Sequence, residues 1–301
     1  MPPAPVVLMV DPAHYSVAYT INPWMDPAAW AGDAAGHHAG ARRAWHALGA
    51  VLAAAGAEVV AAPGEPGLPD MVFPANSAVV LDGRALLGRF RHPERRGEEA
   101  HFLAAFERLR AEGLVREVAQ LPAGCYQEGA GDCVWDATRG RFWAGVGPRS
   151  TGAAARAVAE FFGAPVTPLE LVSDRYYHAD VCLCPLDGGE LLYYPPAFAP
   201  GALRAIRELV PAELLIEAGD ADAAALAVNA VCLGRDVVLA TPPARLRAVL
   251  EERGYRVHAV DLAPFVASGG AAFCLTLRLD LCRAPARALP SAPTLSTLAR
   301  P

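Results

Sequence analysis

Ser77-Ala78-Val79-Val80-Leu81-Asp82-Gly83-Arg84-Ala85-Leu86-Leu87-Gly88-Arg89-Phe90 holds the unit from which the whole chain is built. Two apolar runs flank Asp82-Gly83, a pair that supplies the positive φ angles of a tight hairpin. An amphipathic helical pattern follows, Glu99 to Arg110, and then a third strand, Leu114-Val115-Arg116-Glu117-Val118. The unit is therefore strand, strand, helix, strand.

Outward from this stretch the same order recurs. Hairpins are expected over Asp132 to Val146 (turn near Arg139-Gly140), Val181 to Tyr194 (Asp187-Gly188-Gly189) and Val228 to Ala240 (Gly234-Arg235). Helix-and-strand pairs are expected at Ala41–Ala54 with 57–61, Ala153–Phe162 with 164–167, Ala202–Leu209 with 214–216, and Pro243–Arg253 with 255–260. Leu203, Ile206 and Leu209, and Leu246, Val249 and Leu250, have the spacing of buried stripes. Helix starts fall roughly 50 residues apart, five times over. A last hairpin, Phe273 to Cys282, is expected to pair back with Val6 to Val10 and close five units into a ring around one channel. Residues 1–283 then form one α/β domain, and the Pro- and Ala-rich tail 284–301 is expected to be disordered.

Composition narrows the partners. The chain has 301 residues, 53% hydrophobic and 19% charged, with a formal net charge of −6. Its basic residues are scattered without a basic run, so nucleic acid and anionic membrane are poor partners. No apolar stretch reaches the roughly 20 residues of a spanning helix, and Met1-Pro2-Pro3-Ala4-Pro5 lacks the charged start of a signal peptide. Seven thinly spread cysteines do not make a disulfide framework, which suggests a cytoplasmic protein with reduced thiols.

Three groups of reactive type stand beside strands in different units: the thiol of Cys274 after Ser268-Gly269-Gly270, the imidazole of His178 in Tyr177-His178-Ala179-Asp180, and the carboxylates of Glu128-Gly129-Ala130-Gly131-Asp132. In a closed ring, equivalent positions face one hole, so a nucleophile, a proton shuttle and an acid can converge. If a strand begins at His178, then His178 and Asp180 share a face. Gly269-Gly270 leaves room for a ligand. A buried core thiol, a surface histidine and ordinary turn acids are the bland alternatives. His178, Cys182 and Cys184 give only three metal ligands, and no second cluster completes a structural zinc site. Asn22, Asp70, Asn76 and Asn229 are polar residues in apolar surroundings. Arg89 and Arg149 offer the fork-shaped donors that a carboxylate wants.

From the first strand to Asp280 these residues resemble the guanidino-group-modifying (amidinotransferase, or pentein) superfamily. The resemblance rests on the Asp70-to-Asn76 segment, Arg89-Phe90, Glu128 through Asp132, Gly147-Pro148-Arg149-Ser150-Thr151, His178-Ala179-Asp180, and Gly269-Gly270 before Cys274. It implies a five-bladed α/β propeller of ββαβ-type repeats around a central channel. It also implies that Cys274 attacks a guanidinium carbon, that His178 moves the protons, and that Glu128 holds the guanidinium and orients His178. Asp180 would hold a second edge and Arg89 and Arg149 an α-carboxylate, with no metal or organic cofactor. Gly270 would line the substrate site.

Many members of the superfamily place an acid where Asn76 stands. Ala75-Asn76, with Asn22 in Ile21-Asn22-Pro23-Trp24-Met25 and the run Arg91-His92 through Glu99, looks like the catalytic domain of cyanobacterial arginine dihydrolases. The activity so implied takes arginine to ornithine, ammonia and carbon dioxide, without the second activity of bifunctional relatives. Dimethylargininase and arginine deiminase would use the same triad, and an amidinotransferase would need an amine acceptor. A non-catalytic propeller, like the ribosome anti-association factors, is the reading from a different class. The expected partner is an arginine-like small molecule, and a homo-oligomer is left open.

Overall fold

Asp82 and Gly83 both adopt left-handed backbone, at φ 53° and 68°, the geometry of a primed two-residue turn. The turn sets Leu81 opposite Arg84 and Ala78 opposite Leu87 in an antiparallel pair. The helix Glu98–Ala111 then carries the chain to Glu117–Gln120, which runs parallel to Arg84–Leu87. A computed structural model describes residues 4–283, and in it this arrangement occurs five times, each a three-stranded sheet.

The first strands of the sheets are Ala78–Leu81, Cys133–Asp136, Leu183–Pro185, Val231–Leu233 and Leu277–Arg278. Each is antiparallel to the second strand, which is parallel to the third. The ring closes as expected, because Leu277–Arg278 pairs with Val7 and Leu8 from the other end of the chain. Val80, Val134, Leu183, Val231 and Leu277, one from each first strand, line a single axial cavity. The architecture is the five-bladed α/β propeller expected from the sequence.

Some boundaries differ. The first long helix spans Ala34–Ala54, with Asp33 Oδ1 accepting from Gly36 N at 3.0 Å, seven residues before the expected start. Gly36 and Gly40 weaken helix propensity there and hid the beginning. Ile206 is fully buried, but Leu209 is 36% exposed because the helix Pro200–Leu209 ends at that residue. The last segment supplies one two-residue strand rather than a hairpin, and Cys274 lies in a turn before it. The tail 284–301, expected to be disordered, lies outside the described residues.

The fold places chemistry where the chain enters each first strand. Short helical turns, Pro74–Asn76, Gly129–Asp132 and Ala179–Val181, precede three of them. Asn229 and Cys274 precede the other two. Asn76, Glu128, Asp132, His178, Asp180, Asn229 and Cys274 are all buried in this layer.

Candidate active site

The glycines of Glu128-Gly129-Ala130-Gly131-Asp132 exist to let two blades touch. Gly129 has φ +60°, and a Cβ there would lie 2.3 Å from the Ala75 carbonyl; one on Gly131 would lie 2.2 Å from Asn76 Nδ2. The close approach brings Asn76 beside Glu128 and turns Glu128 inward.

Glu128 is fully buried and binds two partners through one oxygen: His178 Nε2 and Arg149 NH1, each 2.8 Å from Oε2. The Arg91 backbone N–H reaches Oε1 at 3.3 Å. Burial alone would raise the carboxyl, but the Arg149 guanidinium and His178 overcome it and hold it well below the carboxylate range. Arg149 also donates to the Ile21 carbonyl at 3.1 Å and lies 4.4 Å from the Tyr177 ring centroid. Asp132 accepts from Ala179 N at 3.0 Å and from Ser150 Oγ at 2.6 Å, and so fixes the turn that carries His178. Burial pushes Asp132 up to about 6.

His178 precedes a strand without beginning it, so the condition under which it would share a strand face with Asp180 is not met. It has extended backbone as the residue before the turn Ala179–Val181, and the strand starts at Leu183. The turn aims His178 at Glu128 and Asp180 at the thiol: Cys274 Sγ lies 3.1 Å from Asp180 Oδ2. Burial raises Asp180 to about 7, and burial and then Asp180 raise the Cys274 thiol above its ordinary value. Asp180 Oδ1 is buried without a hydrogen-bond partner among the described residues.

Cys274 and His178 line one narrow cavity with Asn22, Asp70, Asn76, Arg95, Arg149 and Gly270. Asp70 accepts from Tyr19 OH at 3.0 Å, and its Oδ1 is a second buried oxygen without a partner among the described residues. Asn22 spends its amide on Ser268 O (3.0 Å) and Trp24 N (2.9 Å), which braces the Ile21–Asn22 segment that lines the cavity. A Cβ on Gly269 would meet Tyr177 OH at 2.8 Å and Trp24 at 2.9 Å; one on Gly270 would meet Phe73 at 2.5 Å. The room made by the glycine pair is filled by protein side chains.

Arg89 is a correction. Its guanidinium donates to the carbonyls of Pro122 (2.6 Å) and Leu121 (3.2 Å), and it lines a different cavity. The second arginine at the site is Arg95, which the sequence did not single out. It is 3% exposed and holds Glu98 through two 2.8 Å bonds, Asn76 Oδ1 at 2.8 Å and the Asp70 carbonyl at 3.0 Å. Burial works against the cation, but Glu98 and Asp70 overcome it. The i, i+3 pairing with Glu98 was the available signal, in a charged run that reads as solvated. Among the described residues no group of three or more His, Cys, Asp or Glu could hold a metal ion. Cys182 and Cys184 instead point their sulfurs at backbone carbonyls.

The profile of the family described as N,N dimethylarginine dimethylhydrolase, eukaryotic, matches residues 26–186, which is more than half of the chain. The chain belongs to this family. The bifunctional arginine dihydrolase/ornithine cyclodeaminase ArgZ of Synechocystis sp. is 39% identical over 276 residues, 91% of this chain and 37% of that protein. The N(G),N(G)-dimethylarginine dimethylaminohydrolase of Mycobacterium tuberculosis is 34% identical over 273 residues, 90% of this chain and 84% of that one. A crystal structure of the N-terminal domain of ArgZ, a cysteine-to-serine variant bound to substrate, matches with a TM-score of 0.86 and 36% identity. That match covers 93% of this chain and all of that one. The chain spans little more than a third of the length of the bifunctional relative.

Proposed function

We propose that the protein hydrolyses the guanidino C–N bonds of arginine or a close derivative through a covalent thiouronium on Cys274, and that it takes arginine to ornithine, ammonia and carbon dioxide. One observation carries this reading. The Cys274 sulfur lies 3.1 Å from a buried carboxylate whose other oxygen has no partner, in a cavity that His178 also lines.

A guanidinium supplies what this site lacks. Its N–H groups complete Asp180 Oδ1, and its charge favours the thiolate at a position where burial otherwise keeps the thiol neutral. Sulfur then adds to the guanidinium carbon. His178, held through Nε2 by Glu128, gives a proton to the departing nitrogen, and that C–N bond breaks. Ammonia leaves from arginine, or dimethylamine from dimethylarginine. His178 takes a proton from water, hydroxide adds to the same carbon, and the C–S bond breaks to give citrulline and the restored thiolate. A second round on the ureido carbon releases another ammonia, and the resulting carbamate loses carbon dioxide. Arginine and two waters become ornithine, two ammonia and one carbon dioxide.

Asn76 favours the second round. Arg95 can only donate, so the Asn76 atom it meets is Oδ1, and the amide N–H₂ is left for Glu128 O (3.4 Å) and the cavity. An N–H donor suits a ureido oxygen and not a guanidinium N–H. Arg95 and Arg149, each buried against the cavity, are suited to an α-carboxylate. Asp70 Oδ1 is placed for a cationic nitrogen. Closure of the ring by Leu277–Arg278 supports one domain over 1–283, and the seven free cysteines support a cytoplasmic setting. No helix of the described residues is long and apolar enough to cross a membrane.

Products from arginine and from dimethylarginine test the reading. Ornithine without accumulating citrulline is the expected result with arginine. Citrulline as the end product refutes the two-step reaction, and citrulline with dimethylamine from dimethylarginine alone would favour the activity named by the matching family.

A further inference from the structure

Asn229 lies 3.2 Å from the nucleophilic sulfur, and the roles above leave it unused. Its side chain is completely buried and makes four bonds. Oδ1 accepts from the backbone N–H of Ala271 and of Cys274, both at 3.1 Å, while Nδ2 donates to the Asp180 carbonyl at 3.1 Å and faces Cys274 Sγ at 3.2 Å. The amide has only one orientation that works. Two backbone N–H groups demand an oxygen and a backbone carbonyl demands an N–H, so the group aimed at sulfur is a donor.

The fold fixes that donor firmly. Asn229 N donates to the Leu226 carbonyl at 3.1 Å, and Leu226 sits at φ +50°, a left-handed conformation unfavourable for a residue with a branched side chain, with its own side chain fully buried. Strain of this kind persists where surrounding structure imposes it, and it clusters at functional sites. The Asn229 carbonyl also accepts from Phe273 N at 3.3 Å. The residue therefore clamps the turn Ala271–Leu275 from the entry of the neighbouring blade and presents an N–H to the thiol at its end.

Resting on Cys274 as the nucleophile, we infer that Asn229 is a catalytic residue that donates a hydrogen bond to the thiolate, both when it attacks and when it is released as the leaving group. A donor at sulfur stabilises the anion and does little for the thiol. It opposes Asp180 Oδ2, which accepts S–H and favours the neutral form. The other titratable groups around the sulfur are Tyr177, whose OH donates to Gly269 O, and His178, Asp70, Arg95 and Arg149 along the cavity. The cationic ones among them are spent on carboxylates, so the groups at sulfur that favour its charged form are the Ala271 backbone N–H and the Asn229 amide, and the amide is the one side chain among them.

The test is the pH dependence of Cys274 alkylation by chloroacetamidine, a cation shaped like a guanidinium, read by mass spectrometry on the Cys274 peptide. Asn229→Asp keeps the oxygen that holds Ala271 and Cys274 and replaces only the donor; Asn229→Ala removes both. The midpoint is expected to rise by one unit or more in each, most in Asn229→Asp, so that alkylation at pH 7.5 slows at least tenfold while the high-pH plateau stays within about threefold. An unmoved midpoint, or a fallen plateau without a shift, overturns the inference and leaves Asn229 as a structural clamp. If neither variant folds, Asn229→Gln decides, since it keeps the amide but moves its N–H away from sulfur: a raised midpoint is expected, and an unmoved one refutes the donor. Alkylation does not require arginine turnover, so failure of the proposed reaction and failure of this role give separate results.

Discussion

Asp180 reaches Cys274 with one carboxylate oxygen, 3.1 Å from sulfur, and leaves the other buried with nothing to accept from. A buried acceptor without a donor is costly, on the order of 1–3 kcal/mol. The site carries that cost in the free protein, and a guanidinium removes it on binding.

Asp180→Asn is therefore expected to stabilise the free protein and abolish turnover. Burial raises Asp180 to about 7 from an ordinary 3.8. Between these values the folded state holds a proton that the unfolded state has lost, so this group's contribution to stability falls as pH rises through that window. Above pH 7 the variant should melt higher, by roughly 2 °C per kcal/mol gained. Thermal melts at pH 5 and 8 check this, with a smaller gain expected at pH 5; an equal effect at both would remove the explanation.

Cys274→Ser should lower turnover by at least about 10³-fold and retain substrate binding, since the hydroxyl is a far weaker nucleophile in the same contacts. Calorimetry with arginine measures the binding, and rapid quench measures the loss of the covalent adduct. Turnover near the wild-type rate would exclude this thiol as the nucleophile.

Arg95 and Arg89 should separate cleanly. Arg89→Ala removes two bonds to loop carbonyls outside the cavity, and KM should change less than about twofold. Arg95→Lys keeps a charge for Glu98 but loses the planar fork, so KM should rise about tenfold or more. Steady-state kinetics with a melting control distinguishes them, and an effect from Arg89 as large as from Arg95 would restore the reading made from sequence.

Asn76→Asp should convert the end product toward citrulline. The carboxylate cannot donate to a ureido oxygen, so the first product escapes before a second attack. Chromatography of products over time gives the citrulline-to-ornithine ratio. A ratio equal to that of the wild type would remove Asn76 from the explanation.

Glu128→Gln should lower kcat by about 10²–10⁴-fold, the usual range for disabling general acid–base catalysis. It also leaves Arg149 without its carboxylate, a buried charge whose partner is gone. Chemical denaturation of the variant measures that second effect and separates it from the kinetics.

The propeller was legible because each blade is specified locally. Asp82-Gly83 can form one kind of turn cheaply, alternating apolar strands have one buried arrangement, and a helix of fixed length returns the chain beside the second strand. The placement of Cys274, His178 and Glu128 at the entries of first strands followed from their equivalent places in the repeat. Arg89 and Arg95 show the limit. Both are arginines in loops near a strand end, and periodicity says nothing about which of them the 3₁₀ turn Pro93–Arg95 rotates inward. The glycine pair before Cys274 misled in the same way. Sequence shows that space is made there, and only packing shows that Tyr177, Trp24 and Phe73 take it.

The sequence by itself determined the number and order of the blades, the closure of the ring by its two ends, and the set of reactive groups at the strand entries, because these depend on local propensity and period. Only the tertiary structure decided which groups point at one another, which arginine reaches the cavity, which oxygens of Asp70 and Asp180 are left without donors, and which way the amides of Asn76 and Asn229 face. Those depend on contacts between separate elements, from 19 positions apart for Asn76 and Arg95 to 94 for Asp180 and Cys274, and a hydrogen bond between elements leaves no periodic trace in either partner's own segment.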